Sequence, residues 1–153
     1  MHENNENKNK KPTLRRQDII YPELSYRING VLFDVFKEVG PGLQEKYYQR
    51  AIAQGLQERS IQFQEQVSIP LAYKGKSIGR YFLDFLIEGK IILELKRGDY
   101  FQKHTLQQIV AYLQSTNKQL GLIANFTTNG VRVKRILNSA KDKQEGFVFS
   151  HIS

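Results

Sequence analysis

The sequence predicts an α/β (α+β) fold in which a mixed β-sheet is flanked by helices. Three segments place apolar residues at intervals of three and four, which is the spacing of an amphipathic helix. Five other segments are short and either apolar or alternating, as strands are. Their order along the chain is helix, helix, three strands, helix and two strands, or ααβββαββ.

The first predicted helix begins at Pro22, which suits a first helical turn, and ends at the Gly-Pro-Gly stop signal of residues 40–42. Residues 44–59 predict a second helix. Residues 103–115 predict a third, after a loop at residues 97–99. The spacing of the first helix is set by Ile28, Val31, Leu32, Val35, Phe36 and Val39.

Strand signals fill the middle and the end of the chain. Turns that contain glycine separate the first three predicted strands. The fourth is short and fully apolar, which suits a central strand, and the fifth alternates. The predicted strands are residues 63–73, 78–87, 91–96, 120–124 and 131–137, with a further short piece at residues 147–149.

The chain has 153 residues, enough for one domain with a sizeable core. Residues 1–17 are polar and predict a disordered arm with a basic end, and residues 18–153 predict a single domain. No segment resembles a membrane span or a signal peptide, so no membrane partner and a cytoplasmic location are expected. Cysteine is absent, which excludes disulfides, thiolate zinc sites and cysteine nucleophiles.

The formal net charge of +8 indicates a polyanionic partner, and nucleic acid is the commonest such partner. The alternative is an excess of lysine that only keeps the protein soluble. Because the chain has only three histidines, a zinc site built from histidine is disfavoured. A bound metal would instead be held by carboxylate oxygens, which suit magnesium, manganese or calcium.

Three charged residues, Asp84, Glu94 and Lys96, lie inside two runs that otherwise consist of buried-strand residues. A hairpin centred on Gly89 would place Asp84 directly opposite Glu94, and alternation would put Lys96 on the same face. Two carboxylates buried opposite each other repel, and a divalent cation would remove that repulsion. The arrangement predicts a Mg²⁺-dependent (or Mn²⁺-dependent) site that hydrolyses phosphodiester bonds, with DNA as the favoured substrate and RNA as the less favoured one.

Each residue type has a task in that chemistry. The two carboxylates and the Leu95 carbonyl could coordinate the ion, and a metal-bound water is acidified. Lys96 could orient or deprotonate the attacking water, or stabilise the developing negative charge. Two alternatives stay open: a non-catalytic nucleic-acid- or partner-binding module, and a structural ion pair of Lys96 with either acid.

Upstream, Glu45 lies in the first turn of the second predicted helix, where the helix dipole favours an anion, and Tyr48 follows on the same helical face. Alone, these two residues describe an ordinary helix start and a core tyrosine. The pattern Gly42-x-x-Glu45-x-x-Tyr48 resembles the signature of the GxxExxY family. These small bacterial and archaeal proteins are grouped with the PD-(D/E)xK nuclease superfamily. The resemblance spans about residues 19–138 and includes Asp84, Glu94-Leu95-Lys96 and the segments 108–113, 120–126 and 134–136.

The resemblance implies a restriction-endonuclease-like fold and a Mg²⁺-dependent endonuclease or exonuclease. It implies that Asp84 and Glu94 bind the metal and that Lys96 is the catalytic lysine. Glu45 would join the metal site or orient a ligand, and Gln108 would contact the site from the third helix. The sequence has Leu83 where the superfamily's name places a proline.

Basic residues near these positions predict phosphate contacts without sequence preference, although a solvated basic face is equally compatible with them. His104 lies one turn before Gln108 and would either face the same pocket or cap the third helix. Cleavage of a duplex would need two sites and therefore a homodimer, and a protein partner could supply specificity. The predicted nucleic-acid-binding residues are Arg97, Lys103, His104, Arg132 and Lys134, with Arg135 on the opposite face of its strand.

Overall fold

The computed structural model of the protein describes residues 20–138. Within that range, three helices and five strands follow the predicted order ααβββαββ. The predicted arm at residues 1–17 and the predicted piece at residues 147–149 lie outside the described residues. The elements are α1 (Pro22–Val39), α2 (Glu45–Glu58), β1 (Phe63–Tyr73), β2 (Lys76–Ile87), β3 (Ile91–Arg97), α3 (Lys103–Thr116), β4 (Leu120–Phe126) and β5 (Val131–Leu137).

The five strands form one mixed sheet whose spatial order, β1-β2-β3-β4-β5, is the order of the strands in the chain. Strands β1, β2 and β3 pair antiparallel, β3 and β4 pair parallel, and β5 returns antiparallel to β4. Helix α3 supplies the crossover that a parallel pair requires. The predicted mixed sheet is therefore confirmed. None of the three helices described is long and apolar enough to cross a membrane.

Helices cover both faces of the sheet and create two separate apolar clusters. The larger cluster joins α1 and α2 to one face, with Ile28, Tyr48 and Phe85 among its members. The smaller one joins α3 to the other face, with Leu83 and Ile109 among its members. The protein therefore has three layers, and the sheet lies between its two cores.

Strand β4 is the most buried element, because all seven of its residues are buried. It extends two residues beyond the predicted end at Ala124, since the parallel ladder with β3 continues through Lys96–Asn125 and Arg97–Phe126. A Cβ atom on Gly121 would lie 2.6 Å from Cγ2 of Ile109. Glycine at this position therefore lets α3 pack directly onto the centre of the sheet.

The hairpin between β2 and β3 turns at Gly89, as predicted. Ile87 pairs with Ile91, and the Lys90 N–H donates a hydrogen bond to the Ile87 carbonyl at 2.9 Å. Gly89 has a φ of 65°, a backbone conformation that glycine adopts without steric penalty. This turn fixes the register that brings the charged residues of both strands together.

Candidate active site

Strands β2 and β3 separate immediately after the pair formed by Phe85 and Leu93. The next residues, Asp84 and Glu94, are opposite each other in this register. Each carboxylate accepts a hydrogen bond from the backbone of the other strand: the Asp84 N–H donates to Glu94 Oε1 at 2.7 Å, and the Leu95 N–H donates to Asp84 Oδ2 at 2.8 Å. We call this place the β2–β3 fork. Side-chain carboxylates there replace the backbone ladder that the sequence predicted.

The regular alternation of side chains along strand β2 is also interrupted at Asp84. Leu83 packs in the cluster beneath α3, whereas Phe85, two residues on, packs in the cluster beneath α1 and α2. Residues two apart in a regular strand share one face. The prediction that Asp84, Glu94 and Lys96 share a face assumed that regularity, and the regularity ends at Asp84. The two carboxylates meet nonetheless, because the fork opens where the alternation is interrupted.

Glu94 is a buried carboxyl group with only 2% of its surface exposed. Burial, followed by repulsion from Asp84, raises its pKa to about 7 from the ordinary value of 4.5. The hydrogen bond from the Asp84 backbone, the charge of Lys96 and the Tyr81 hydroxyl oppose this rise. The Tyr81 hydroxyl donates to Glu94 Oε2 at 3.1 Å, so both carboxylate oxygens have a protein partner.

Asp84 is less buried than Glu94, and its pKa is raised as well. Burial raises its pKa, and the nearby charge of Glu45 adds to the rise. The Leu95 N–H and the charge of Lys96 lower it. Lys96 is half-buried on β3 and therefore provides positive charge to both carboxylates of the fork.

Glu45 lies close enough to influence Asp84 electrostatically, although it starts helix α2 on the surface of the protein. Its position depends on Tyr48, one turn further along the helix. The fully buried ring of Tyr48 stacks on Phe126 with ring centres 4.0 Å apart. Its hydroxyl donates to the Gly40 carbonyl at 2.7 Å and accepts from the Leu43 N–H at 3.3 Å. Tyr48 thus fixes the loop from which the helix of Glu45 starts.

Replacing Tyr48 with phenylalanine is expected to lower the free energy of unfolding by about 1–2 kcal/mol. The stacked ring stays in the core, while the Gly40 carbonyl and the Leu43 N–H lose their partner. Chemical denaturation of the variant and the parent measures the difference. Tyr47→Phe is the control, because Tyr47 is 44% exposed. Equal stability of the Tyr48→Phe variant and the parent would mean that the hydroxyl does not anchor the loop.

Gln108 is half-buried on α3, on the same side of the helix as Tyr112, which follows one turn later. The Tyr112 ring packs against the Tyr81 ring with centres 4.4 Å apart, and Tyr81 in turn reaches Glu94. Helix α3 is therefore connected to the fork through two tyrosines. Sequence reasoning missed both, because Tyr81 is an odd number of residues from Asp84, and regular alternation would place it on the opposite face.

Gln66 on β1 is a further residue that the sequence did not indicate. Glu65 pairs with Phe85 and Val67 pairs with Leu83, so Gln66 lies opposite Asp84, yet its φ is 49°. A glutamine in this left-handed conformation is uncommon, and such residues are often found at functional sites. A hydrogen bond from its side chain lowers the pKa of Asp84. No sequence pattern signals a strand residue with this backbone.

The predicted nucleic-acid-binding residues lie in two groups. Arg132 and Lys134 project from the same face of β5 and lie over the Phe101 ring, at 5.5 Å and 5.2 Å from its centre. Arg97, Lys103 and His104 are exposed around the loop that follows β3 and in the first turn of α3. Arg135 projects to the opposite face, as alternation predicted, and donates to the Ser25 hydroxyl and the Ile20 carbonyl.

The fork offers two carboxylates as metal ligands. Among residues 20–138, no three Asp, Glu, His or Cys side chains come together as a metal cluster. Two carboxylates suit an ion such as Mg²⁺ or Mn²⁺ that keeps several of its waters. A divalent cation beside Asp84 and Glu94 would also offset the desolvation that raises both pKa values. The donor set therefore fits a hydrated divalent ion, with Glu45 nearby but outside the pair.

A family model for the PD-(D/E)XK nuclease superfamily matches residues 22–136, from the start of α1 to the last residue but one of β5. The chain belongs to this superfamily. Its mixed sheet flanked by helices agrees with the restriction-endonuclease-like fold that the resemblance implied. Nucleases of the PD-(D/E)XK superfamily hydrolyse phosphodiester bonds in nucleic acids and generally use divalent metal ions.

Among solved structures, the chain is similar to the crystal structure of SSO0001. The two are 15% identical, with a TM-score of 0.48, and the match covers 80% of this chain and 61% of that one. The chain thus spans about three fifths of the length of that protein. A search of curated protein sequences finds no significant match.

Proposed function

We propose that the protein is a metal-dependent nuclease that hydrolyses phosphodiester bonds in DNA. The observation that supports this most directly is the β2–β3 fork. Two carboxylates, the buried Glu94 and the half-buried Asp84, lie opposite each other with raised pKa values, beside the half-buried Lys96. Perturbed carboxyl groups of this kind are concentrated at functional sites.

In this proposal, Asp84 and Glu94 hold a Mg²⁺ or Mn²⁺ ion through their carboxylate oxygens. When bound, such an ion acidifies a water and screens the charge of the attacked phosphate. The backbone hydrogen bonds to Glu94 Oε1 and Asp84 Oδ2 fix the orientation of both carboxylates before substrate arrives. Pre-oriented ligands avoid a loss of side-chain freedom when substrate binds.

Lys96 is the catalytic lysine in this proposal. Its ammonium group is close enough to both carboxylates to lower their pKa values. From there it would orient the attacking water and stabilise the negative charge that develops on the phosphate. Glu45 would accept a hydrogen bond from a water at the same site, and Gln108 would contact the substrate from helix α3.

The proposal extends to three finer points. Membership of the GxxExxY family is supported by Gly42, Glu45 and Tyr48, since Tyr48 fixes the loop that begins before Glu45. A cytoplasmic location would give access to DNA. Cleavage of both strands of a duplex would need two copies of the site and therefore a homodimer.

The experiment that tests the proposal is calorimetric titration of Mn²⁺ into the parent and into Glu94→Gln. Mn²⁺ is a good surrogate for Mg²⁺ at oxygen sites and requires no choice of substrate. The titration is carried out at pH 8, where Glu94 is ionised because its pKa is about 7. Saturable binding by the parent and loss of binding in the variant are expected, since the amide removes a charged ligand.

Glu38→Gln is the matched control, because it removes one carboxylate from an exposed position of helix α1. It should bind Mn²⁺ like the parent. Absence of binding by the parent would contradict a metal site that exists before substrate arrives. Equal binding by the parent and Glu94→Gln would contradict the role of Glu94.

One observation favours a second candidate, a non-catalytic module that binds nucleic acid or a partner. The carboxylates of the fork are satisfied by protein donors, namely the Asp84 and Leu95 N–H groups and the Tyr81 hydroxyl, so the fold does not require a metal. This candidate predicts DNA binding that persists in EDTA, with no cleavage in Mg²⁺ or Mn²⁺. Cleavage that depends on either ion contradicts it.

A further inference from the structure

Tyr100 is the most exposed large aromatic residue in the part of the chain that the structure describes. Its side chain is 82% exposed, and it lies in the loop that joins β3 to α3, four residues after Lys96. A single exposed tyrosine is unremarkable by itself. Three features of its surroundings indicate a function: the loop backbone is held by hydrogen bonds, basic residues outnumber acidic ones, and the loop follows the strand of the proposed catalytic lysine.

The loop that carries Tyr100 is held in place on both sides. The Asn125 side-chain amide donates to the Tyr100 carbonyl at 2.8 Å and to the Gly98 carbonyl at 3.4 Å. Arg132 donates to the Asp99 carbonyl at 3.0 Å. Asn125 is the residue that pairs with Lys96 in the parallel ladder. The position of the Tyr100 backbone is thus tied to the strand that neighbours the proposed catalytic lysine.

Basic residues outnumber acidic ones around Tyr100: Asp99 is the adjacent acid, and Arg132 lines the same surface depression as Tyr100 and Asp99. Arg97, the last residue of β3, is exposed just before this loop, and Arg132 and Lys134 lie over the ring of Phe101, the next residue after Tyr100. The exposed Tyr100 ring, with basic side chains on the neighbouring Phe101 ring and in the same depression, matches the two parts of a nucleotide, because the ring can stack on the base and the cations can contact the phosphates.

We propose that Tyr100 stacks on an unpaired base of the DNA strand that enters the active site, and that the substrate is DNA with unpaired nucleotides beside the cut. The inference rests on the proposed nuclease function and narrows its substrate class. In a duplex, each base is already stacked on its neighbours and exposes only its edges in the grooves. An unpaired base offers its face to an exposed ring. Arg97 and Arg132 contact the flanking phosphates and provide affinity without sequence preference.

The chain contains no tryptophan, so Tyr100→Trp introduces a single tryptophan, whose fluorescence can be excited at wavelengths that the tyrosines do not absorb. The variant is titrated in EDTA with a thymidine 20-mer and, separately, with a blunt 20-base-pair duplex at the same salt concentration. The expected result is quenching of tryptophan fluorescence by the single strand and not by the duplex. Tyr26→Trp is the control, because Tyr26 is 79% exposed on α1 and should show no quenching.

Tyr100→Ala provides the second measurement. Loss of base stacking should weaken binding of the thymidine 20-mer by about 5- to 150-fold, which corresponds to about 1–3 kcal/mol. Binding of the duplex should change by less than about 2-fold, since phosphate contacts dominate it. Equal quenching by single strand and duplex, or single-strand affinity unchanged in Tyr100→Ala, would overturn the inference.

The two proposals fail in different ways. If the parent cleaves DNA in Mn²⁺ and Tyr100→Ala binds the single strand as tightly as the parent, the nuclease function holds and the stacking inference is wrong. If the parent never cleaves but Tyr100→Trp is quenched by the single strand alone, stacking holds and the nuclease function is wrong. Binding in EDTA therefore tests the stacking inference, whereas cleavage in Mn²⁺ tests the nuclease function.

Discussion

Replacing Lys96 with alanine is expected to slow DNA cleavage by about 10²- to 10⁴-fold while the protein stays folded. Lys96 is half-buried, and its ammonium group is the positive charge that acts on both carboxylates of the fork. A group that stabilises charge only as the phosphate is attacked affects the rate more than substrate binding. Single-turnover cleavage of labelled DNA in Mn²⁺ separates the rate of the chemical step from affinity.

Metal binding by the Lys96→Ala variant distinguishes a catalytic lysine from a structural ion pair. Removing a positive charge beside Asp84 and Glu94 lessens repulsion of the incoming cation, so Mn²⁺ affinity should stay equal or increase. If Lys96 acted only as an ion-pair partner, cleavage would persist and folding would be the property that changes. Cleavage by Lys96→Ala at the parental rate would contradict the proposed mechanism.

The control for this experiment is Lys37→Ala, an exposed position in the last turn of helix α1. It lowers the net charge by the same amount and lies outside the fork, so it separates a local effect of Lys96 from a general weakening of DNA affinity. For this variant we expect a cleavage rate within about 2-fold of the parental rate. Its melting temperature should lie within a few degrees of the parental value, because surface substitutions change stability little.

The element order and the pairing register were predictable because each depends on local sequence. Apolar spacing defined the helices, and the turn at Gly89 fixed which residues of β2 and β3 face each other. The fork was not predictable in the same way. It arises because carboxylate oxygens of Asp84 and Glu94 outcompete the backbone carbonyls for two N–H donors, and this depends on the three-dimensional separation of the strands.

The residues around the fork that sequence reasoning missed share a physical cause. The regular alternation of side chains is interrupted at Gln66 in β1 and at Asp84, which lies opposite in β2. This irregularity brings Tyr81 to Glu94. The periodicity of apolar residues in a sequence identifies only regular strands. It therefore cannot identify a residue whose position depends on an irregularity. Asn125 lay in the segment that carries the family resemblance but outside the predicted strand, because the apolar run ends before it, while the parallel ladder continues through its pairing with Lys96.

In EDTA, the free energy of unfolding of the parent is expected to decrease as the pH rises from about 4.5 to 8. The pKa of Glu94 is about 7 in the folded protein and near the ordinary 4.5 when unfolded, so the folded state binds more protons across this window. A raised carboxyl pKa contributes stability that is present below the unfolded pKa and is lost as the pH passes the folded pKa. The loss from Glu94 is on the order of 3 kcal/mol, and Asp84, whose pKa is also raised, acts in the same direction.

Glu94→Gln should remove most of this pH dependence. Its neutral amide resembles the protonated acid in shape, and its Oε1 can still accept the Asp84 N–H. Without the charge of Glu94, the pKa of Asp84 should also return towards its ordinary value, because repulsion between the two carboxylates is lost. Urea denaturation at pH 5, 6, 7 and 8 compares the variant with the parent, and we expect the variant to be the more stable protein at pH 8 and nearly equal to the parent at pH 5.

The same substitution is expected to abolish Mn²⁺ binding, so stability without metal and the ability to bind metal change in opposite directions. Saturating Mn²⁺ at pH 8 should restore the stability of the parent, because an ion that binds only the folded state stabilises it in proportion to the logarithm of its concentration. It should leave Glu94→Gln unchanged. If the stability of the parent were constant between pH 5 and 8 and unaffected by Mn²⁺, the fork would be a structural feature without charge repulsion or cation binding. A decline with pH that Mn²⁺ reverses only in the parent would mean that the fold tolerates mutual repulsion between Asp84 and Glu94 because the pair binds a cation.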